Sequence, residues 1–155
     1  MKPYIVITGF MSQYDKRAEG WKLVKSAKLG KDRLIFKEFL EENESHIKGD
    51  MLIKRAKRMG SPAGQLHTEN MLKQTFLIPD ELRKFTLIFT GTIWKHPDGY
   101  QCVPALRIGK ICDIEALAGF GMPVYEGLHN YGWIIDFVRL DKGLLTPARV
   151  AIIEK

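Results

Sequence analysis

Phe85-Thr86-Leu87-Ile88-Phe89-Thr90-Gly91-Thr92-Ile93-Trp94, followed by Lys95, the turn signal His96-Pro97-Asp98-Gly99 and the return Tyr100-Gln101-Cys102-Val103, commits this chain to a sheet. β-branched and aromatic residues dominate both arms, and they pack well on a pleated surface. Pro-Asp-Gly between the arms supplies fixed and positive φ values for a reversal, so the segment reads as a hairpin whose second strand runs on to Ile108. Pro104 falls inside that strand. Because proline has no N–H to give a ladder, the expectation is an edge position or a bulge there.

Beyond the hairpin, Ile114 to Ala118 suits a short helix, and residues 119–132, rich in glycine and holding Pro123, read as a mobile functional loop. Trp133 to Leu140 is a further strand, Asp141-Lys142-Gly143 a turn, and Arg149 to Ile153 a closing strand. Before the hairpin, Tyr4 to Phe10 reads as a buried strand and residues 11–31 as irregular chain with one helical turn. Leu34, Ile35, Phe36, Phe39 and Leu40, with Lys37, Glu38, Glu41 and Glu42 between them, suggest an amphipathic helix starting near Asp32. A second helix is expected from Asp50 as cap, with Leu52, Ile53, Ala56 and Met59 inward and Gly60 as left-handed stop. A third is expected over Thr68 to Gln74, with Thr68 as its cap. The expected architecture is α+β: a mostly antiparallel sheet of five to six strands, also describable as a partly open barrel, with two or three helices from the first half packed on it.

A chain of 155 residues, 45% apolar and 27% charged, matches one globular domain, and no apolar run approaches the roughly 18 residues of a membrane span. Cys102 and Cys112 are too few for a disulfide framework and read as reduced thiols, with a bridged pair the minority alternative, so the expected compartment is the cytoplasm. The net charge of +6 is uneven: residues 1–78 hold 15 Lys/Arg against 9 Asp/Glu, and residues 79–155 hold 9 against 9. A basic half suggests a polyanionic partner.

Lys54, Arg55, Lys57 and Arg58 crowd one helix whose nearest acid is Asp50, so the cluster lacks carboxylate partners on its own element. Lys48 precedes them, and Gly60-Ser61-Pro62-Ala63-Gly64-Gln65 follows with small residues whose amides, with the Ser61 hydroxyl, suit a phosphate. No Gly-Lys-Ser/Thr ends the loop, so it is no Walker motif. The plainer reading is a solvated helix with a glycine stop. Trp21, among Arg17, Lys22 and Lys25, suits base stacking beside phosphate, and Trp94 with Tyr100 suggests a second platform, although such rings more often fill cores.

His46, His67, His96 and His129 include no i, i+4 pair, and neither cysteine has a Cys-x-x-Cys companion, so no metal or cofactor is expected. His67-Thr68-Glu69 is the most suggestive acid–base grouping. Asp113, Glu115, Glu126 and Asp136 are candidates to gather at the glycine-rich loop, with Asp136 expected on a solvent face.

Three functions follow. The first is a non-catalytic binding module for a phosphate-bearing ligand, single-stranded nucleic acid or nucleotide, contacted by Lys48, Lys54, Arg55, Lys57, Arg58, Ser61 and Trp21. The second is a protein-interaction factor, in the style of viral host-modulating proteins, whose basic face meets an acidic partner. The third is a small metal-independent enzyme acting on a nucleotide or RNA phosphodiester through His67. No membrane partner is expected, and a homodimer through an edge strand stays open.

Overall fold

The hairpin forms as its turn chemistry requires. Gly99 takes φ 100°, a value favouring glycine, and the His96 amide bonds the Tyr100 carbonyl at 2.8 Å. Residues 10, 12–110, 131–142, 144–145 and 147–154 are described in the computed structural model. The predicted strand at Tyr4 to Phe10 therefore lies outside them except for its last residue. So do the short helix at 114–118, Cys112, and all but the final two residues of the 119–132 loop.

In chain order the strands are β1 (Lys22–Lys25), β2 (Arg33–Lys37), β3 (His46–Ile47), β4 (Ser61–Pro62), β5 (Thr86–Ile88), β6 (Ile93–Lys95), β7 (Gln101–Lys110), β8 (Tyr131–Arg139), β9 (Leu144–Leu145) and β10 (Ala148–Glu154). The α-helices are α1 (Gly49–Met59) and α2 (Gln65–Lys73). Eight strands form one curled open sheet in the order β1-β6-β7-β5-β10-β2, with β8 added on β7 and β4 on β10, while β3 and β9 pair separately. The sheet is mixed, because β10 runs parallel to β5 and antiparallel to β2 and β4.

The long predicted strand at 85–94 is two short ones, β5 and β6, along the same edge of β7. Between them the Gly91 amide bonds the Ala63 carbonyl at 2.8 Å. A Cβ at Gly91 would collide with the Pro62 and Ala63 carbonyls, so glycine lets the two segments touch.

Pro104 is not at an edge. It lies in β7 between β8, where it faces Phe137, and the β5 side, where its carbonyl accepts the Phe89 amide at 3.0 Å. The N and C=O of one strand residue point the same way, so the absent N–H faces the interruption between β5 and β6. The ladder is already broken there, and proline costs little.

The amphipathic helix expected from Asp32 is instead β2. Leu34 and Phe36 pack into one core cluster with Ala151 and Ile153, while Ile35 packs into the other with Val150 and Ile152. A two-residue alternation buried on both faces outcompetes the helical reading once β10 supplies a partner strand. Residues 11–31 likewise hold more order than expected, with 3-10 turns at Ser12–Tyr14 and Lys16–Glu19 and then β1. Among the described residues the α-helices thus number two. Leu52 and Ala56 of α1 close one face of the sheet, and Met71 and Leu72 of α2 pack on the other.

Both helix starts differ from the sequence reading. Lys48, not Asp50, is the N-cap of α1, and Asp50 stands in the first turn, where its charge suits the helix dipole. Gly60 ends α1 at φ 148°, ψ −149°, outside the left-handed helical region. At α2 the cap is Gly64, and Thr68 lies buried within the first turn, donating its hydroxyl to the Gly64 carbonyl at 3.1 Å.

Candidate functional site

The basic helix divides into two sets of cations. Leu52 and Ala56 fix which face of α1 is buried, and Lys54, Lys57 and Arg58, related by three and four positions, share an exposed face. Among the described residues none of these three, nor Lys48, has a carboxylate within ion-pair reach. Arg55 differs. Its guanidinium grips both oxygens of Glu44, stands 3.7 Å from Glu41 and donates to the Phe39 carbonyl at 2.8 Å. The missing carboxylate comes from the preceding loop, which spacing along one helix could not reveal. Arg55 pulls the Glu44 carboxyl down from 4.5 to about 2, so the pair stays charged across the neutral range.

The small-residue loop after α1 does not form an anion cradle. Ser61 and Pro62 are β4, paired with Ile153 and Ile152, and the next three amides are consumed internally. Ala63 donates to the Ala151 carbonyl, Gly64 to His67 Nδ1 at 3.0 Å, and Gln65 to Thr92 Oγ1 at 2.8 Å. Backbone amides bound to protein acceptors cannot also bind phosphate.

Trp94 is fully buried, and its indole N–H donates to Gln65 Oε1 at 2.7 Å, so it belongs to the core and not to a platform. The Gln65 amide group in turn donates to the Tyr14 carbonyl at 2.8 Å. Trp21 is half-buried in a ring cluster. It meets His96 edge-on at 4.8 Å and Phe137 at 6.0 Å, with Lys16 Nζ 5.1 Å from its centroid. His96 stacks on Tyr100 at 4.3 Å, and the Arg139 guanidinium lies 3.7 Å over the Tyr100 ring. Imidazole and guanidinium cannot share one face at those separations, so Tyr100 is sandwiched. Arg139 is held in turn by both oxygens of Asp141.

Helix and ring cluster meet at a groove of about 560 Å³, whose walls carry Lys54 and Ile53 from α1, Tyr100 and Gln101 from the hairpin, and Leu140. That volume lies within the range of small-molecule sites and admits a nucleotide. Asp50 and Asp141 also line it, and Arg139 neutralises the latter.

His67 lies elsewhere, 2% exposed on α2. Its Nδ1 accepts the Gly64 amide, the role a Glu or Gln takes at this position of a capping box. An acceptor Nδ1 carries no proton, so Nε2 carries it and donates to Asp32 Oδ2 at 2.8 Å. Both ring nitrogens are therefore committed, and proton exchange with a ligand requires breaking one bond. The His67 donor first, and the Gly30 amide second, hold the Asp32 carboxyl below its usual range. No sequence signal pointed to Asp32, which is 35 positions away.

Asp136 faces outward in an ion pair with Arg107 at 2.9 Å. The carboxylates expected to join it, Asp113, Glu115 and Glu126, lie outside the described residues, as does His129. Cys102 is buried, and that burial raises its thiol to about 11, well above the range of a reactive thiolate. Among the described residues no three His, Cys, Asp or Glu side chains gather as a metal site, and no helix is long and apolar enough to cross a membrane. No protein-family model, curated protein or solved structure matches this chain.

Proposed function

We propose that this protein is a non-catalytic binding module for a phosphate-bearing ligand, single-stranded nucleic acid or nucleotide, held along the groove between α1 and the β6–β7 hairpin. The observation that carries this reading is the exposed face of α1 bearing Lys54, Lys57 and Arg58, of which Lys54 lines a nucleotide-sized groove that Tyr100 also lines. Phosphates would pair with the three cations and with Lys48, and Tyr100 would serve as a wall, since both its faces are taken. Arg55 supports the site from behind by fixing the loop at Glu44. Neither Ser61, whose backbone pairs in β4, nor Trp21, packed among His96, Phe137 and Lys16, lines the groove, so this reading does not count them as contacts. No observation favours the enzyme reading, because His67 has no free nitrogen.

The test is fluorescence anisotropy of a labelled mixed-sequence single strand at about 50 and about 200 mM salt, where several phosphate contacts would cost orders of magnitude in affinity. Lys54→Glu with Lys57→Glu should weaken binding at least about tenfold at the lower salt while leaving the melting temperature unchanged. Ser61→Ala should change nothing. A mononucleotide that displaces the strand narrows the ligand to a nucleotide. Wild-type affinity in the double variant would sink the proposal and leave the basic face as a protein-contact or solubility surface.

A further inference from the structure

The cavity beside His67 is the exception to this protein's charge. It is an open hollow of about 180 Å³ between α2 and the chain at 29–34, with walls from Leu29, Leu34, Met71, Leu77 and Ile78 and from the polar Asn70 and Gln74. In a chain of net charge +6, no Lys or Arg among the described residues lines it, and Asp32 is the one carboxylate among them that does. The Asp32 side chain is fixed by the Gly30 amide at 2.9 Å and by His67 at 2.8 Å, both on Oδ2. His67 orients this carboxylate, because the Gly64 amide occupies Nδ1 and leaves Nε2 to donate to Asp32. Among the described residues no Lys or Arg stands within ion-pair reach of Asp32, and none donates to Oδ1.

A solvent-exposed carboxylate held in one orientation, with no Lys or Arg beside it among the described residues and with apolar side chains on one side of it, is the complement of one ligand class. The volume compares with the ~150 Å³ apolar cavity that takes benzene, so a ring-sized group fills it. The geometry points to a binding site for a small amphipathic organic cation, its ammonium group donating to Asp32 Oδ1 and its ring-sized apolar body lying against Leu34 and Met71. Among the described residues the cavity shares no lining residue with the groove at α1, so either site can fail without the other.

Amide chemical shifts of the full chain, followed by NMR during titration with benzylammonium, benzyl alcohol and benzoate, test this directly. Benzylammonium should shift Gly30, Asn70 and Met71, the alcohol should bind at least about tenfold more weakly, and benzoate should leave these amides unmoved. Asp32→Asn keeps the shape of the side chain and should reduce the amine to the level of the alcohol. Met71→Trp should abolish both by filling the space. Nα-acetyl-lysine amide separates a free amine from a lysine of a partner protein, and its thinner stem should bind about tenfold more weakly than benzylammonium. No shift at the cavity up to about 10 mM, equal binding of benzoate, or a lysine amide tighter than benzylammonium would each overturn the assignment. The three-probe comparison on the unmodified chain decides the matter even if Asp32→Asn does not fold.

Discussion

Glu44 shows how a single carboxylate can anchor a segment that has little regular structure of its own. Its folded value of about 2 lies below the ordinary 4.5, so its pairing with Arg55 contributes stability in full above about pH 4.5. That contribution is lost as pH falls through about 2. Glu44→Gln should therefore lower the urea midpoint at pH 7, and the gap from wild type should close as the pH falls toward 2.5; a gap independent of pH would remove the ion pair as its cause. Gln65 is the buried counterpart, with its oxygen taking the Trp94 N–H and its NH2 reaching the Tyr14 carbonyl. Trp94→Phe would strand that oxygen in the core and leave a small void, at a cost of about 2–4 kcal/mol measured by chemical denaturation. Neither partnership was visible in the sequence. Glu44 and Arg55 are 11 positions apart and Gln65 and Trp94 are 29 apart, separations that only the folded chain resolves.

Elements were legible where local chemistry and tertiary demand agreed. The hairpin at 96–99, the inward stripe of α1, and the strands β7, β8 and β10 follow from turn residues and apolar period, because nothing later in folding opposes them. Residues 32–40 misled because Leu34-Ile35-Phe36 satisfies either period over so short a span, and only pairing with Ile153, Ile152 and Ala151 breaks the tie. The loop at 60–65 misled differently: small residues were read as room for a ligand, whereas they make room for Gly91 and Thr92 of this same chain. The basic face was legible as charge, and the groove beside it was not, since its far wall is built from the hairpin. Gly91→Ala puts a methyl group against the Pro62 and Ala63 carbonyls, so it should destabilise by about 3 kcal/mol in urea unfolding. The same change at Gly99, where open space surrounds the site, should cost about 1 kcal/mol through its positive φ alone.

Across the whole molecule, β10 binds the sheet together. It bonds β5 on one edge in parallel, β4 further along, and β2 on the other side, and its side chains alternate between the two core clusters. Native-state hydrogen exchange should find the Val150 to Ile152 amides among the slowest, opening only with global unfolding, while β1, exposed for most of its length and paired among the described residues with β6 alone, should open locally. Faster exchange in β10 than in β1 would contradict this placement. Because β10 follows every other described element in the chain, β2, β4 and β5 leave the ribosome without the strand that joins them. Until residues 148–154 have emerged and are free to pair, the polypeptide carries unpaired strand edges that invite association with neighbouring chains, so delayed emergence of this segment would expose the protein to aggregation.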